Sequence, residues 1–190
     1  MKLTALSPVL VLASLICLQG CVAVVGAGVA TGIMVSDDRR TSGTILEDKV
    51  IRSKVSNLIY DEYDEGVQVD LTSYNRVVLL YGQVPSEAVK DDIGAMALET
   101  QNVRDVQNEI IIAGASSFVA RSNDTLLTSK VKSRLMSNDD VQANHVKVVT
   151  DAGSVYLMGL VTRAEAASAA QTAANTSGVK RVVKVFEFID

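Results

Sequence analysis

Apolar residues recur at three- and four-residue spacing in two stretches of the chain, which begin at Asp48 and Asp124. The apolar positions are Ile51, Val55, Leu58 and Ile59 in the first stretch, and Leu127, Val131 and Leu135 in the second, residues 124–137. Such spacing places the side chains on one side of an α-helix. Each stretch therefore predicts an amphipathic helix with a single buried stripe.

Short runs rich in Val and Leu, separated by turn residues, follow each helix and predict β-strands. The predicted strands cover residues 67–71, 77–84 and 103–110 in the first half, and residues 146–149, 154–161 and 179–186 in the second. A second helix is predicted in each half, at residues 86–100 and 162–177. Both halves therefore follow the order helix, strand, strand, helix, strand.

The two halves also match each other residue by residue, which indicates an internal repeat. Residues 48–55 align with residues 124–131 and share Asp, Ser, Lys and Val, and both return strands carry the pattern Val-x-Leu-x-Gly-x-Val. Gly82 and Gly159 occupy the same place in that pattern. A glycine inside a strand marks a bulge or a close backbone approach, which we expect where the next helix crosses.

The repeat predicts an α+β chain with two tandem domains, at residues 47–114 and 122–190. Each domain is expected to place two helices on one face of a small mixed sheet. Residues 1–20 and 21–46 fall outside this repeat and need a separate interpretation.

The first 20 residues have the composition of a secretory signal, with one positive charge at Lys2, an apolar run and the small residue Gly20 before a cleavage boundary. Because Cys21 directly follows Gly20, the segment resembles a bacterial lipobox, in which the cysteine takes a diacylglycerol and the freed amine a third acyl chain. The alternative is an ordinary secretory signal with a chance cysteine. In resembling lipoproteins, a residue such as Val22 after the cysteine favours sorting to the outer membrane.

Residues 21–46 are predicted to form a lipidated N-terminus and a linker. The apolar segment at residues 22–35 has 14 residues, whereas a membrane-spanning helix needs about 20. Its glycines, followed by Glu47, imitate a dinucleotide-binding fingerprint, but no buried strand precedes them and a polar run follows. No cofactor is therefore expected apart from the covalent lipid on Cys21.

Charge distinguishes the two halves and adds a second prediction about partners. Residues 48–113 carry 6 Lys and Arg against 12 Asp and Glu, whereas residues 121–190 carry 9 against 7. The halves are therefore expected to meet different partners, and no nucleic-acid partner is expected. Of the 2 cysteines, Cys17 lies in the predicted signal and Cys21 is the predicted acylation site, so the mature chain is expected to have no disulfide.

Catalytic and metal chemistry find little support in the sequence. His145 is the only histidine, no nucleophile or acid is placed to form a relay with it, and we expect it to be solvated at the start of a strand. The acidic run at residues 61–66 resembles a calcium loop, but Tyr63 and Thr72 occupy positions that require oxygen ligands of another kind. We predict no enzyme activity, no catalytic residues and no metal site.

The helix at residues 124–137 carries the strongest candidate site. At 100° per residue, Leu126, Ser129, Ser133 and Met136 project away from the buried stripe, flanked by Lys130 and Lys132. Exposed alkyl groups between two cations suit an interfacial contact with anionic lipid. The alternative is domain packing, in which Leu126 or Met136 is buried against the first repeat.

The first repeat offers no equivalent site in the sequence. Val50 and Tyr60 fall where Leu126 and Met136 do, but four acidic residues follow Tyr60 at once. An anionic membrane would repel that end of the helix.

The order of elements, the repeated Val-x-Leu-x-Gly-x-Val and the closing Val-x-x-Val pairs resemble BON domains. Together with the lipobox, the chain resembles the dual BON-domain outer-membrane lipoproteins of Gram-negative bacteria. The resemblance implies a lipid anchor in the outer membrane on its periplasmic face, enrichment at the division site, a role in envelope integrity, and binding of anionic phospholipid through the second domain's first helix. A relative in this family carries tryptophan at the position of Leu126, so weaker interfacial anchoring is expected here.

A second function, from a different class, stays open. The acidic first repeat is also compatible with a docking face on a periplasmic scaffold that binds envelope or outer-membrane-protein assembly machinery. The exposure of Leu126 and Met136 in the fold is the observation that bears most directly on the choice.

Overall fold

The structure is a computed structural model that describes residues 38–63, 66–113 and 118–190. Residues 38–190 form one compact unit. The predicted signal segment, Cys21 and most of the predicted linker lie outside the described residues.

Two domains with the same order of elements follow each other along the chain. The first contains α1 (Ser42–Glu62), β1 (Gln68–Tyr74), β2 (Val77–Val84), α2 (Glu87–Glu99), β3 (Asp105–Asn108) and β4 (Ile111–Ile112). The second contains α3 (Phe118–Met136), a 3-10 turn (Ala143–His145), β5 (Lys147–Asp151), β6 (Ser154–Val161), α4 (Arg163–Ala174) and β7 (Arg181–Phe188). In each sheet the central strand pairs antiparallel with the first strand and parallel with the last. The predicted α+β fold with two mixed sheets is confirmed.

Both first helices begin six residues earlier than the apolar pattern predicts. In α1 the start is set by Thr41, whose hydroxyl accepts a hydrogen bond from the backbone N–H of Thr44 at 3.1 Å. That bond satisfies a backbone donor that has no partner within the helix. Residues 42–46 are therefore helical rather than part of a linker.

The repeated aspartate lies inside each first helix and holds the hairpin turn of its own domain. The Asp48 carboxylate accepts hydrogen bonds from the backbone N–H groups of Asn75 and Arg76, both at 2.8 Å. The Asp124 carboxylate accepts from Ala152 and Gly153, both at 2.9 Å. In each domain, a carboxylate on the first helix thus fixes the turn between the first two strands.

Two predicted details of the first domain are wrong: the burial of Leu58 and the continuity of the third strand. Leu58 is 46% exposed, because the stripe is centred on Ile51, Val55 and Ile59 and Leu58 lies at its edge. The third strand of the first domain is broken after Asn108 into β3 and β4. The backbone N–H of Glu109 still donates a hydrogen bond to the Leu80 carbonyl at 2.9 Å. The corresponding β7 runs unbroken for 8 residues.

Each sheet buries both of its faces, which the sequence pattern does not predict. One face packs against the two helices of its own domain, and the core there includes Val55 and Leu80 in the first domain and Val131 and Leu157 in the second. The opposite faces form a third apolar cluster that joins the two domains, built from Tyr74, Val77, Leu79, Tyr156 and Met158. The rings of Tyr81 and Tyr156 stack at a centroid distance of 6.1 Å across it.

Gly82 and Gly159 are positions of close backbone approach, but a helix is not what approaches them. A Cβ on Gly82 would lie 2.0 Å from the Gln68 carbonyl oxygen, and one on Gly159 would lie 2.3 Å from the His145 carbonyl oxygen. Both oxygens belong to the chain entering the first strand of the same sheet. The equivalence of the two glycines is confirmed, whereas the predicted helix crossing is wrong.

Residues 38–41 bind the two domains together just before α1. The Arg40 guanidinium pairs with Asp48 at 2.8 Å and lies 3.9 Å above the Tyr74 ring of the first domain. The Arg39 guanidinium reaches the second domain, where it donates to the Leu160 carbonyl at 2.8 Å and to both carboxylate oxygens of Glu165. The end of the predicted linker is therefore a clamp across both domains.

Candidate lipid-contacting surface

Helix α3 presents the predicted apolar pair to solvent. Leu126 is 62% exposed and Met136 is 77% exposed. Leu127, Val131 and Leu135 are buried on the opposite side against the sheet. The alternative in which Leu126 or Met136 packs against the first domain is therefore wrong.

The polar residues of the predicted site share this exposed surface. Ser129, Lys130, Lys132 and Ser133 are all exposed, and the Ser129 hydroxyl donates back to the Thr125 carbonyl at 3.1 Å. Among the described residues, neither lysine has a carboxylate oxygen within ion-pair distance. The two ammonium groups are therefore available to an external anion on either side of the apolar pair.

The C-terminal end of α3 borders a cavity of about 240 Å³. It is lined by Met136 and Lys132 together with Asn144, Val146 and Lys147. Burial, together with the nearby guanidinium groups of Arg40 and Arg52, lowers the pKa of Lys147 to about 8. A third cation, which the apolar pattern does not reveal, thus lies beside Met136.

Exposure alone does not distinguish α3 from α1. Val50 is 45% exposed and Tyr60 is 80% exposed, so the first domain presents apolar side chains at the corresponding positions. The difference lies in the charge, because Asp61 and Glu62 are exposed next to Tyr60, whereas Lys132 adjoins Met136. The C-terminal end of the first helix is therefore apolar and anionic, whereas that of the second helix is apolar and cationic.

His145 is buried, and the prediction that it is solvated is wrong. Its side chain is 7% exposed, and Nδ1 lies 3.8 Å from Oε1 of Glu165. The 3-10 turn before β5 places the ring beside Glu165 in the first turn of α4. The spacing of residues along the sequence does not predict this contact. Among the described residues, no group of three or more His, Cys, Asp and Glu side chains has the arrangement of a metal site.

Glu165 connects this region to the N-terminal clamp. Its carboxylate accepts from the Thr162 backbone N–H at 2.8 Å and from Arg39 at 2.8 and 2.9 Å. The Arg39 guanidinium, helped by Thr162, lowers the pKa of Glu165 from 4.5 to about 2. Because the folded-state pKa is lowered, the stabilisation is fully present above pH 4.5 and is lost as the pH falls toward 2.

We expect Glu165→Gln to lower the free energy of unfolding by about 2 kcal/mol at pH 7, because the charged partner of Arg39 is removed while the helix cap remains. The difference between the variant and the wild-type chain should shrink as the pH falls from 4.5 to 2, where the wild-type carboxylate becomes protonated. Urea unfolding at several pH values measures this. A difference that stays constant over that range would show that Arg39 does not stabilise the ionised carboxylate.

Several contacts around the site belong to residues that the periodicity does not single out. Arg39 and Arg40 lie in the predicted linker, and Lys147 lies in a strand. Only the repeated aspartate gave a signal, because Asp48 and Asp124 align between the two halves. Within the described part of the chain, no helix is both long and apolar enough to cross a bilayer.

Comparison with known proteins gives two levels of similarity. A BON domain matches twice, over residues 47–114 and 123–190. The chain is 41% identical to the "Outer membrane lipoprotein DolP" of Haemophilus influenzae over 184 residues, which is 95% of each protein.

Two further relatives are more distant. The chain is 34% identical to the "21 kDa hemolysin" of Actinobacillus pleuropneumoniae, over 80% of this chain and 79% of that protein. It is 29% identical to the "Osmotically-inducible protein Y" of Escherichia coli, over 80% of this chain and 78% of that protein. The repeated fold, the two matched domains and the nearly full-length similarity lead to one conclusion: the chain belongs to the BON-domain family, as a two-domain relative of the outer membrane lipoprotein DolP.

Proposed function

We propose that the chain is a non-enzymatic outer-membrane lipoprotein, anchored by acylated Cys21 on the periplasmic face, whose second BON domain binds anionic phospholipid and helps to maintain the outer membrane. The observation that carries the proposal is the exposure of Leu126 and Met136 on one face of α3, with Lys130 and Lys132 at the two edges of that face. The name of the Haemophilus relative supports the anchor and the compartment. Enrichment at the division site is part of the proposal only through the family resemblance.

The combination of apolar and cationic groups suits a membrane surface. Burial of an exposed Leu or Met side chain contributes roughly 1.5–3 kcal/mol when complete. Each lysine near an anionic leaflet adds about 1 kcal/mol. Partial insertion of Leu126 and Met136 with two lysines therefore gives moderate, reversible binding.

The N-terminal anchor makes such moderate binding sufficient. Sixteen residues, 22–37, lie between Cys21 and Asp38, so the two positions can be at most about 60 Å apart. Arg39 is held on Glu165, which lies beside His145, and the neighbouring Asn144 lines the same cavity as Met136. The tether therefore leaves the second domain near one end of the proposed lipid-binding helix, where a membrane anchor keeps the local lipid concentration high.

Co-sedimentation of residues 38–190 with vesicles tests this function. We expect binding to vesicles of phosphatidylglycerol and phosphatidylcholine, and little binding to phosphatidylcholine alone, because the lysines require an anionic surface. The fragment must include residues 38–43, since Arg39, Arg40 and Thr41 stabilise the folded unit. Absence of binding to the anionic vesicles would favour the scaffold function, with the acidic first domain as the docking face.

The anchor is tested separately by Cys21→Ser. We expect loss of acylation, because the thiol is the attachment atom for the diacylglycerol, so that the chain becomes soluble or stays an uncleaved precursor. Labelling of cells with radioactive palmitate measures this directly. Incorporation of palmitate into the Cys21→Ser protein would contradict the proposed lipidation site.

A further inference from the structure

A second cavity lies at the other end of α3, next to Leu126. Its volume is about 400 Å³, within the range of about 300–1,000 Å³ that is typical of small-molecule sites. Three elements of the second domain form it: the first half of α3, the hairpin turn at Ala152 and Gly153, and the loop between α4 and β7. The surface around Leu126 is therefore concave rather than flat.

Two cations from different elements line this cavity. Lys130 comes from α3 and Lys180 from the loop before β7. The Lys180 ammonium donates to the Ala152 carbonyl at 3.2 Å, and its alkyl stem lies over Gly153. Ser177 adds a hydroxyl group to the lining. The cavity thus combines two ammonium groups and a hydroxyl group, a donor set that suits a phosphate oxyanion.

One carboxylate also lines the cavity, but its oxygens already have donors. Asp124 accepts one hydrogen bond from the Ala152 N–H and one from the Gly153 N–H. Those bonds direct its charge toward the hairpin turn. Lys130 and Lys180 together still leave the lining with a net positive charge.

We propose that this cavity binds the phosphodiester of an anionic glycerophospholipid head group, with Lys130 and Lys180 on the phosphate. Leu126, on the cavity rim, would then lie where the glycerol backbone and acyl chains leave the head group. The proposal rests on the proposed function, because it assigns the head group to the same lipid-binding helix. It adds Lys180, which lies outside α3, to the residues that recognise the lipid.

The first test compares Lys180→Gln with Lys184→Gln in the mature chain, residues 21–190 with Cys21→Ser. Gln keeps part of the alkyl stem over Gly153 and removes the charge, and Lys184 is an exposed cation on the adjacent strand β7 that does not line the cavity. We expect Lys180→Gln to weaken partition into phosphatidylglycerol vesicles about fivefold, as loss of about 1 kcal/mol implies. The Lys184→Gln control should change it less than twofold. Equal effects of the two substitutions would overturn the proposal.

The second test separates a lipid head group from free phosphate. Titration of the labelled protein with glycerophosphoglycerol should shift the backbone amide signals of Gly153, Ser177, Gly178 and Lys180, and Lys180→Gln should abolish the shifts. Absence of shifts would overturn the head-group site. Tight, saturable binding of inorganic phosphate that phosphatidylglycerol vesicles do not displace would also overturn it, since the ligand would then be the free ion.

Failure of this proposal is distinguishable from failure of the proposed function. If Leu126→Glu removes vesicle binding while Lys180→Gln does not weaken it, α3 still binds lipid and the head-group cavity is wrong. If the wild-type chain does not bind vesicles at all, both are wrong.

Discussion

Leu126→Glu and Met136→Glu should each reduce binding to anionic vesicles roughly 10- to 100-fold, while the protein stays folded. Each substitution removes the insertion of an apolar side chain, worth roughly 1.5–3 kcal/mol when complete, and places an anion against an anionic surface. Both side chains are mostly exposed, and surface substitutions usually change the free energy of unfolding by no more than about 0.5 kcal/mol. Vesicle co-sedimentation and urea unfolding measure the two quantities.

Val50→Glu in α1 is the matched control, because Val50 occupies the corresponding position and is 45% exposed. It should change vesicle binding little. Equal losses from Val50→Glu and Leu126→Glu would remove α3 as the specific lipid-binding helix.

Salt separates the contribution of charge from that of insertion. Lys130→Glu and Lys132→Glu should weaken vesicle binding mainly at low ionic strength, because exposed charges are screened over about 10 Å at 0.1 M salt. The defects of Leu126→Glu and Met136→Glu should persist at higher salt to the extent that lost insertion causes them. Lysine variants whose defect does not depend on salt would contradict an electrostatic role.

The largest effects on stability are expected from Gly159→Ala and Gly82→Ala, and Gly159→Ala should lower the free energy of unfolding by about 3 kcal/mol or more. The added Cβ would lie 2.3 Å from the His145 carbonyl oxygen, so the strand entry must shift and disturb a fully packed core. Gly82→Ala should behave similarly, since its Cβ would lie 2.0 Å from the Gln68 carbonyl oxygen and its φ is +121°. Urea or thermal unfolding measures both.

Two other glycines separate steric clash from backbone strain. Gly66 has a φ of +81° but open space around the added Cβ, so Gly66→Ala should cost only about 1–2 kcal/mol. Gly43 lies within α1 with nothing closer than 3.8 Å, so Gly43→Ala should stabilise the protein by about 0.5–1 kcal/mol. A Gly159→Ala protein as stable as Gly43→Ala would contradict the close backbone approach.

The fold was largely predictable because the same pattern of apolar and turn residues occurs in both domains. The return strands at Val77–Val84 and Ser154–Val161 were predicted to the residue, since Gly, Asn and Asp turns mark their starts. The helix starts were not, because the six residues that begin α1 and α3 mix apolar and polar side chains and show no clear start signal. Thr41, the cap that begins α1, lies among other Ser, Asp and Arg residues and carries no distinctive spacing.

Long-range contacts account for most of what the sequence did not predict. Tyr81 and Tyr156 alternate with core residues, as exposed strand residues do, and only the packing of the two sheets shows that they meet. His145 lies before a strand in the sequence, yet a 3-10 turn places it beside Glu165. Arg39 reaches Glu165 across 126 positions of the chain, a distance over which periodicity carries no information.

The candidate site divides in the same way. The exposed face of α3 follows from helical geometry, so Leu126 and Met136 were predictable. Lys147 and Lys180 come from other elements. Only the folded domain brings Lys147 next to the C-terminal end of α3 and Lys180 next to its first half.

The most direct test of membrane contact through α3 is the depth of individual side chains in the bilayer. The chain from residue 38 onward contains no cysteine, so spin labels can be attached singly at Leu126→Cys, Met136→Cys and Val50→Cys. With phosphatidylglycerol vesicles bound, the labels at 126 and 136 should become accessible to oxygen and protected from a water-soluble nickel complex, while the label at 50 stays aqueous. Vesicle-bound protein in which the labels at 126 and 136 remain fully accessible to the nickel complex would contradict insertion of α3.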